Sequence, residues 1–247
     1  MSCGLFSQMK MKIEIKLAGL PLRLRLEHAE TAAYFEPYTL PDADADVDLY
    51  VTAEDFARDG GPLSDAPGAF QEYSLLVAAA SRCLLRHGRV VYHGVAVKLG
   101  GRAWLITAPS GTGKTTQYKW LKTLYREKVS LICGDKPILE RRGERVYVHP
   151  SPWPGKERFP GGPGGALAGI VLLEQAQENT VSRLTAREAV FPLFREFLYV
   201  PEMEEEAREV GRMAEAMLRL PVWKLRNRGD EASARLLYET VTEYETI

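Results

Sequence analysis

Trp104-Leu105-Ile106-Thr107-Ala108-Pro109-Ser110-Gly111-Thr112-Gly113-Lys114-Thr115-Thr116 is an apolar run, then a glycine-containing turn, then a helix start. It fits the pattern G-x-x-x-x-G-K-[ST] with one departure, because Ala108 stands where the first Gly is usual. Each residue type answers a need of phosphate binding. Gly111 and Gly113 let successive backbone N–H groups turn inward around phosphate oxygens. Lys114 carries a mobile ammonium to the β- and γ-phosphates, and Thr115 offers a hydroxyl to Mg²⁺. The helix that starts near Gly113 adds its positive dipole end. The rival reading is a glycine-rich turn that resembles a phosphate loop by chance. The apolar strand before the turn and the helical pattern after it speak against that reading.

Working outward, residues 90–98 and 103–107 predict two strands joined by Leu99-Gly100-Gly101-Arg102, the second of which feeds the loop. Residues 115–125 predict a helix, and 129–133 a short apolar strand that stops at Gly134-Asp135-Lys136-Pro137. A strand ending in an acidic residue soon after a phosphate loop is a common way to hold Mg²⁺ or its waters, which makes Asp135 a metal candidate beside Thr115. A solvated turn aspartate is the rival reading. Residues 138–141 and 145–149 predict a further hairpin. The Pro/Gly-rich segment 150–165 carries Trp153, Lys156, Glu157 and Arg158, which suits either a substrate-facing loop or a flexible connection. Residues 167–173 read as a buried strand, 185–197 and 202–220 as helices, 222–225 as a strand, and Asp230 as the cap of a last helix through Tyr244. Met203, Ala207, Val210, Met213 and Met217 form the expected apolar stripe of the 202–220 helix.

The N-terminal part reads differently. Ile13, Ile15 and Leu17 alternate with Lys12, Glu14 and Lys16, and Leu22, Leu24 and Leu26 with Arg23, Arg25 and Glu27, around Ala18-Gly19-Leu20-Pro21. That is a β-hairpin. A short helix is expected over 29–38, a loop over 41–48, a strand over 47–52, a linker over 59–68, and a helix over 70–86. Asp42, Asp44, Asp46 and Asp48 lack the Gly and the terminal Glu of a calcium loop. The expected division is a small β-rich unit over 1–68 and a catalytic core over 69–247.

Bulk properties narrow the class. The 247 residues are 45% hydrophobic and 26% charged, with a net charge of −1, which gives no electrostatic case for nucleic acid or an anionic membrane as partner. Cys3, Cys83 and Cys133 are widely spaced and form no C-x-x-C, which suits a cytoplasmic protein without a disulfide framework. The N-terminus lacks the apolar core of a secretory signal, and no apolar run reaches the roughly 18 residues of a membrane span.

Tyr92-His93-Gly94-Val95-Ala96-Val97, the loop strand through Thr116, and Leu131-Ile132-Cys133-Gly134-Asp135 together resemble the catalytic core of HPr kinase/phosphorylase. The superfamily also holds ATP-dependent phosphoenolpyruvate carboxykinase, whose phosphate loop is similar to residues 110–116. The chain further resembles small bacterial HPr-kinase-like proteins, including some that phosphorylate a serine of a ribosomally made peptide. The resemblance implies an α/β fold with α+β character: a mixed sheet flanked by helices, with a small N-terminal hairpin unit added. It implies ATP and Mg²⁺ as cofactors. Ser110, Gly111, Thr112, Gly113, Lys114, Thr115 and Thr116 would hold the nucleotide, Asp135 the metal, and His93 would lie close to the reaction. The expected activity is transfer of the γ-phosphate to a hydroxyl, on a peptide or protein serine or on a small molecule. Lys136, Trp153, Lys156 and Glu157 are candidates for the acceptor site. The resemblance allows a homo-oligomer.

One departure is chemical. The family keeps two adjacent aspartates, of which the first is the presumed proton acceptor, and here that position is Gly134. Either Asp135 has both roles, or His93 or Glu157 accepts the proton, or catalysis relies on positioning. A regulatory nucleotide-binding module without phosphotransfer is the alternative. A carboxykinase-like enzyme is a third option, for a chain much shorter than those enzymes and lacking a convincing metal-binding His and Lys set.

Overall fold

The computed structural model describes residues 11–40, 45–58, 68–156, 161–198 and 203–244, and the chain divides into two units, Met1–Leu84 and Leu85–Ile247. In the first unit β1 (Met11–Leu17) and β2 (Leu20–Leu26) pair antiparallel with Leu17 opposite Leu20, which leaves a two-residue turn. Ala18 and Gly19 in that turn have φ of 46° and 82°, the backbone hand that matches strand twist in tight hairpins. Ile15, Leu17, Leu22, Leu24 and Leu26 are buried, while Lys12 and Lys16 point to solvent.

β3 (Asp48–Leu49) adds parallel to β2 and is shorter than the strand expected over 47–52. The helix expected over 29–38 is instead a pair of 3-10 turns, Ala29–Tyr34 and Glu36–Tyr38, and Pro37 withholds a backbone donor there. α1 (Ala53–Arg58) was not expected. Thr52 and Asp55 start it by reciprocal bonds, Asp55 N–H to the Thr52 hydroxyl at 3.1 Å and Thr52 N–H to the Asp55 carboxylate at 2.8 Å. α2 (Gly68–Leu85) carries Glu72, 1% exposed, whose carboxylate accepts from Glu27 N, His28 N and the Thr31 hydroxyl and so ties the hairpin end to the helix. Most of the expected linker, 59–67, lies outside the described residues.

The second unit contains β4 (Arg89–Val91), β5 (Val95–Leu99), β6 (Arg102–Thr107), α3 (Lys114–Tyr125), β7 (Val129–Cys133), β8 (Ile138–Arg142), β9 (Arg145–His149), β10 (Gly165–Gln175), β11 (Thr180–Arg183), α4 (Ala186–Phe194), α5 (Glu204–Leu218), β12 (Val222–Asn227) and α6 (Glu231–Glu243). Among the described residues its strands form one mixed sheet of nine, in the order β4-β8-β9-β10-β6-β5-β7, with β12 against β10 and β11 against β12. β10 pairs parallel with both β6 and β12. β5 is antiparallel to β6 and to β7, so β7 runs in the direction of β6. The carboxyl ends of β6, β7, β10 and β12 therefore share one edge, where open α/β sheets bind ligands.

Alternation along each strand splits the core between two faces. Val97, Trp104, Ile106 and Val171 pack with Tyr118 and Leu121 of α3 and Leu237 and Val241 of α6. Ala96, Leu105 and Ile170 pack with Ala189 and Leu193 of α4 and Val210, Met213 and Met217 of α5. The architecture is thus mixed α/β: a mixed sheet flanked by helices, plus a small N-terminal sheet.

In the second unit, further expectations change. Residues 90–98 are two strands, not one: the chain breaks at Tyr92-His93-Gly94 because β4 pairs with β8 whereas β5 pairs with β6 and β7. The stripe of α5 is displaced, since Met203 and Ala207 are exposed and Glu206 is buried. β11, a polar strand, follows β10 where no strand was expected. Among the described residues, no helix is long and apolar enough to cross a membrane.

Candidate active site

β6 ends at Thr107 and α3 starts at Lys114, so residues 108–113 form the turn between them. Gly111 has φ 81° and Gly113 φ 102°, and a Cβ at either would meet nothing within 4 Å. Backbone conformation, not space, therefore asks for glycine at both. Ala108 is buried in the apolar layer under the turn and is not among the residues with positive φ, so the usual first glycine is dispensable here. The turn closes through Thr112, whose N–H and hydroxyl both donate to the Pro109 carbonyl, at 3.3 and 2.8 Å. Gln175, at the end of β10, donates to the Gly111 carbonyl at 3.4 Å. Ser110, Gly111 and Thr116 are exposed, and Thr112, Gly113 and Thr115 are half-buried. No side chain caps α3 at Gly113, so the positive end of the helix dipole faces this turn without an acceptor of its own.

Lys114 is 7% exposed, and its ammonium folds back onto the carbonyls of Ala108 at 2.6 Å and Pro109 at 3.2 Å. Burial holds its pKa below the ordinary lysine value, opposed by the carboxylates of Glu196 and Asp135 and reinforced by Lys136.

Those neighbours come from the same sheet edge. Asp135 follows β7, and its carbonyl accepts from Gly94 N at 2.8 Å, which fixes it beside the β4–β5 break. Its carboxylate is paired with Lys136 and lies 3.5 Å from His93 Nε2. The other ring nitrogen of His93, Nδ1, is 2.7 Å from the Glu196 carboxylate. The His93 backbone is held on both sides: its N–H donates to the Glu196 carbonyl at 2.9 Å, and its carbonyl accepts from the Thr107 hydroxyl at 2.8 Å. Glu196 is 7% exposed. It follows α4, where Thr185 makes a capping box with Glu188 at one end and Pro192 interrupts the hydrogen-bond ladder near the other. The chain then bridges Phe197 to Tyr92, and the buried Tyr92 hydroxyl donates to the Leu193 carbonyl at 2.8 Å.

Gly134 has a steric reason. A Cβ there would lie 2.5 Å from the Pro154 carbonyl oxygen, and a Cβ at Gly155, where φ is +84°, would lie 2.8 Å from the Cβ of Asp135. The segment after β9 thus leans on the end of β7 at two glycines. Trp153 is 2% exposed, with its N–H on the Ser151 hydroxyl at 3.2 Å, and Gly162 N–H donates to the Leu131 carbonyl at 2.8 Å.

The structure brings His93, Lys114, Asp135 and Lys136 to one edge, with Ser110 to Gly113 on the turn and Thr115 and Thr116 in the first turn of α3 beside them. Trp153 is a packing residue with little surface, Lys156 is exposed, and Glu157 lies outside the described residues. Sequence reasoning missed Glu196. The expected 185–197 helix ends at Phe194, which leaves 196–198 to pair with 91–93, and no pattern in the sequence marks that change. Among the described residues, no three His, Cys, Asp or Glu side chains form a cluster able to hold a metal ion.

No family model and no curated protein matches this chain. Among solved structures, that of the Hpr(Ser) kinase/phosphatase from Coxiella burnetii is similar with a TM-score of 0.37 and 11% identity, over 62% of this chain and 93% of that one. At this score the likeness decides nothing about the activity of this chain.

Proposed function

We propose that this chain is an ATP- and Mg²⁺-dependent kinase that passes the γ-phosphoryl group to a hydroxyl, on a peptide or protein serine or on a small molecule. The observation that carries the reading is the position of Lys114: a buried ammonium at the uncapped start of α3, within the field of Asp135 and Glu196. The turn amides and the helix end suit phosphate oxygens. Lys114, released from the carbonyls of Ala108 and Pro109, would offset charge on the β- and γ-phosphates. The residues fit Mg²⁺, a hard cation that keeps several waters and takes phosphate oxygens besides one or two protein oxygens; the Thr115 hydroxyl and the Asp135 carboxylate would be those two. Bound there, the ion supplies neutralisation of charge on the transferring group. The acceptor oxygen would form the new P–O bond as the bond to the β–γ bridging oxygen breaks and ADP leaves, and the hydroxyl proton would pass to His93 Nε2, which also orients the hydroxyl. Purified chain with γ-labelled MgATP and a serine peptide library should transfer label, and Lys114→Ala should abolish transfer. Absence of transfer and of any γ-phosphate consumption, with ATP still bound, would overturn the kinase reading.

A second reading has its own observation. The place where the resembling kinases carry a carboxylate is filled by the Pro154 carbonyl against Gly134, which favours a regulatory module that binds nucleotide without phosphotransfer. Label transfer to any acceptor removes that reading.

A further inference from the structure

We infer that Glu196 is a positioning residue of this site, which sets the orientation and tautomer of His93. The consequence for phosphoryl transfer rests on the kinase reading; the geometry does not. An imidazole beside a cation and two carboxylates has two nitrogens and can present either one. Here the backbone of His93 is fixed twice, by the Glu196 carbonyl and the Thr107 hydroxyl, so only the ring torsion is left to settle. Glu196 settles it. Its carboxylate is 2.7 Å from Nδ1, and Glu196 is 7% exposed, so the contact is neither screened nor readily exchanged for water. A carboxylate is an acceptor, so Nδ1 carries the hydrogen, and in the neutral ring Nε2 keeps its lone pair. Nε2 then faces Asp135 across 3.5 Å, too long for a strong bond between them. The gap leaves Nε2 able to take the hydrogen of a hydroxyl brought to this edge, which fixes how that hydroxyl lies. The Glu196 side chain can be changed without losing its place, because its backbone carbonyl is the group bound to His93 N–H.

The test reads the ring directly, in ¹⁵N-labelled protein at alkaline pH without nucleotide. Long-range ¹H–¹⁵N spectra report the tautomer of His93, its signals being those lost in His93→Gln. Expected are an Nδ1–H tautomer in the unaltered chain, a shift toward Nε2–H in Glu196→Ala, and retention of Nδ1–H in Glu196→Gln, whose amide oxygen still accepts. An Nε2–H tautomer in the unaltered chain, or no change in Glu196→Ala, overturns the inference. If the unaltered chain binds no MgATP, the kinase reading fails while the tautomer result stands or falls by itself.

Discussion

Gly134 and Gly113 show how differently two glycines of one site can be required. At Gly113 the backbone is left-handed, φ 102°, with open space around it, so Gly113→Ala strains the turn itself, by about 1–2 kcal/mol. At Gly134 the obstacle is the Pro154 carbonyl, 2.5 Å from any added Cβ. Gly134→Asp, which would set two aspartates side by side before Lys136, is therefore expected to destabilise the second unit by about 1–3 kcal/mol and to give no gain in label transfer. A thermal melt should fall by a few degrees, at about 2–4 °C per kcal/mol for a chain of this size. An unchanged melt with faster transfer would mean that the 154 segment gives way freely. From sequence, Gly134 was legible as a departure from a pattern; the neighbour that excludes a side chain was not, because Pro154 reaches it through a loop without periodicity.

At the scale of elements, the strand that feeds the loop, the helix after it and the strand ending at Asp135 were all readable, since each carries its own pattern. The break between β4 and β5 was not. A β-forming, largely buried stretch runs through Tyr92-His93-Gly94, but the pairing partner changes there from β8 to β6 and β7, and residue type along the chain does not record a change of partner. β11 escaped for a related reason: its residues are mostly exposed, so no apolar face marks it. The β8–β9 hairpin makes a prediction of its own. Glu140, 8% exposed, accepts from Arg89 at 3.0 Å and Arg142 at 2.7 Å and lies 2.8 Å from His149 Nε2. Burial alone would raise the Glu140 pKa, but Arg142, Arg89 and His149 hold it below the ordinary 4.5. Burial lowers the His149 pKa from the ordinary 6.5, and Glu140 only partly offsets this. In both cases the unfolded chain binds more protons over the interval, so stability rises with pH. The denaturant midpoint should fall as pH drops below about 6.5 through the His149 step, and again below about 4.5 through the Glu140 step. His149→Gln should flatten the first part of that fall and leave the second; an unaltered slope would show that His149 is not the group responsible.

On the scale of the whole second unit, sheet direction makes the site. β6, β7, β10 and β12 point their carboxyl ends the same way, so the loop after β6, Asp135 after β7 and Gln175 of β10 meet at one edge without any of them being near another in sequence. The motif foretold two of these arrivals. Glu196 could not be foretold, because it reaches His93 across 103 positions and only the sheet and α4 bring it there. What unites the edge is Lys114, buried, uncapped and flanked by carboxylates, and the central claim is that nucleotide phosphates bind it. Titration calorimetry of MgATP into the unaltered chain and into Lys114→Ala tests this most directly. Binding is expected in the first and an affinity at least about tenfold weaker in the second, the loss of at least one strong charge-assisted contact. Equal affinity in the two proteins would contradict it.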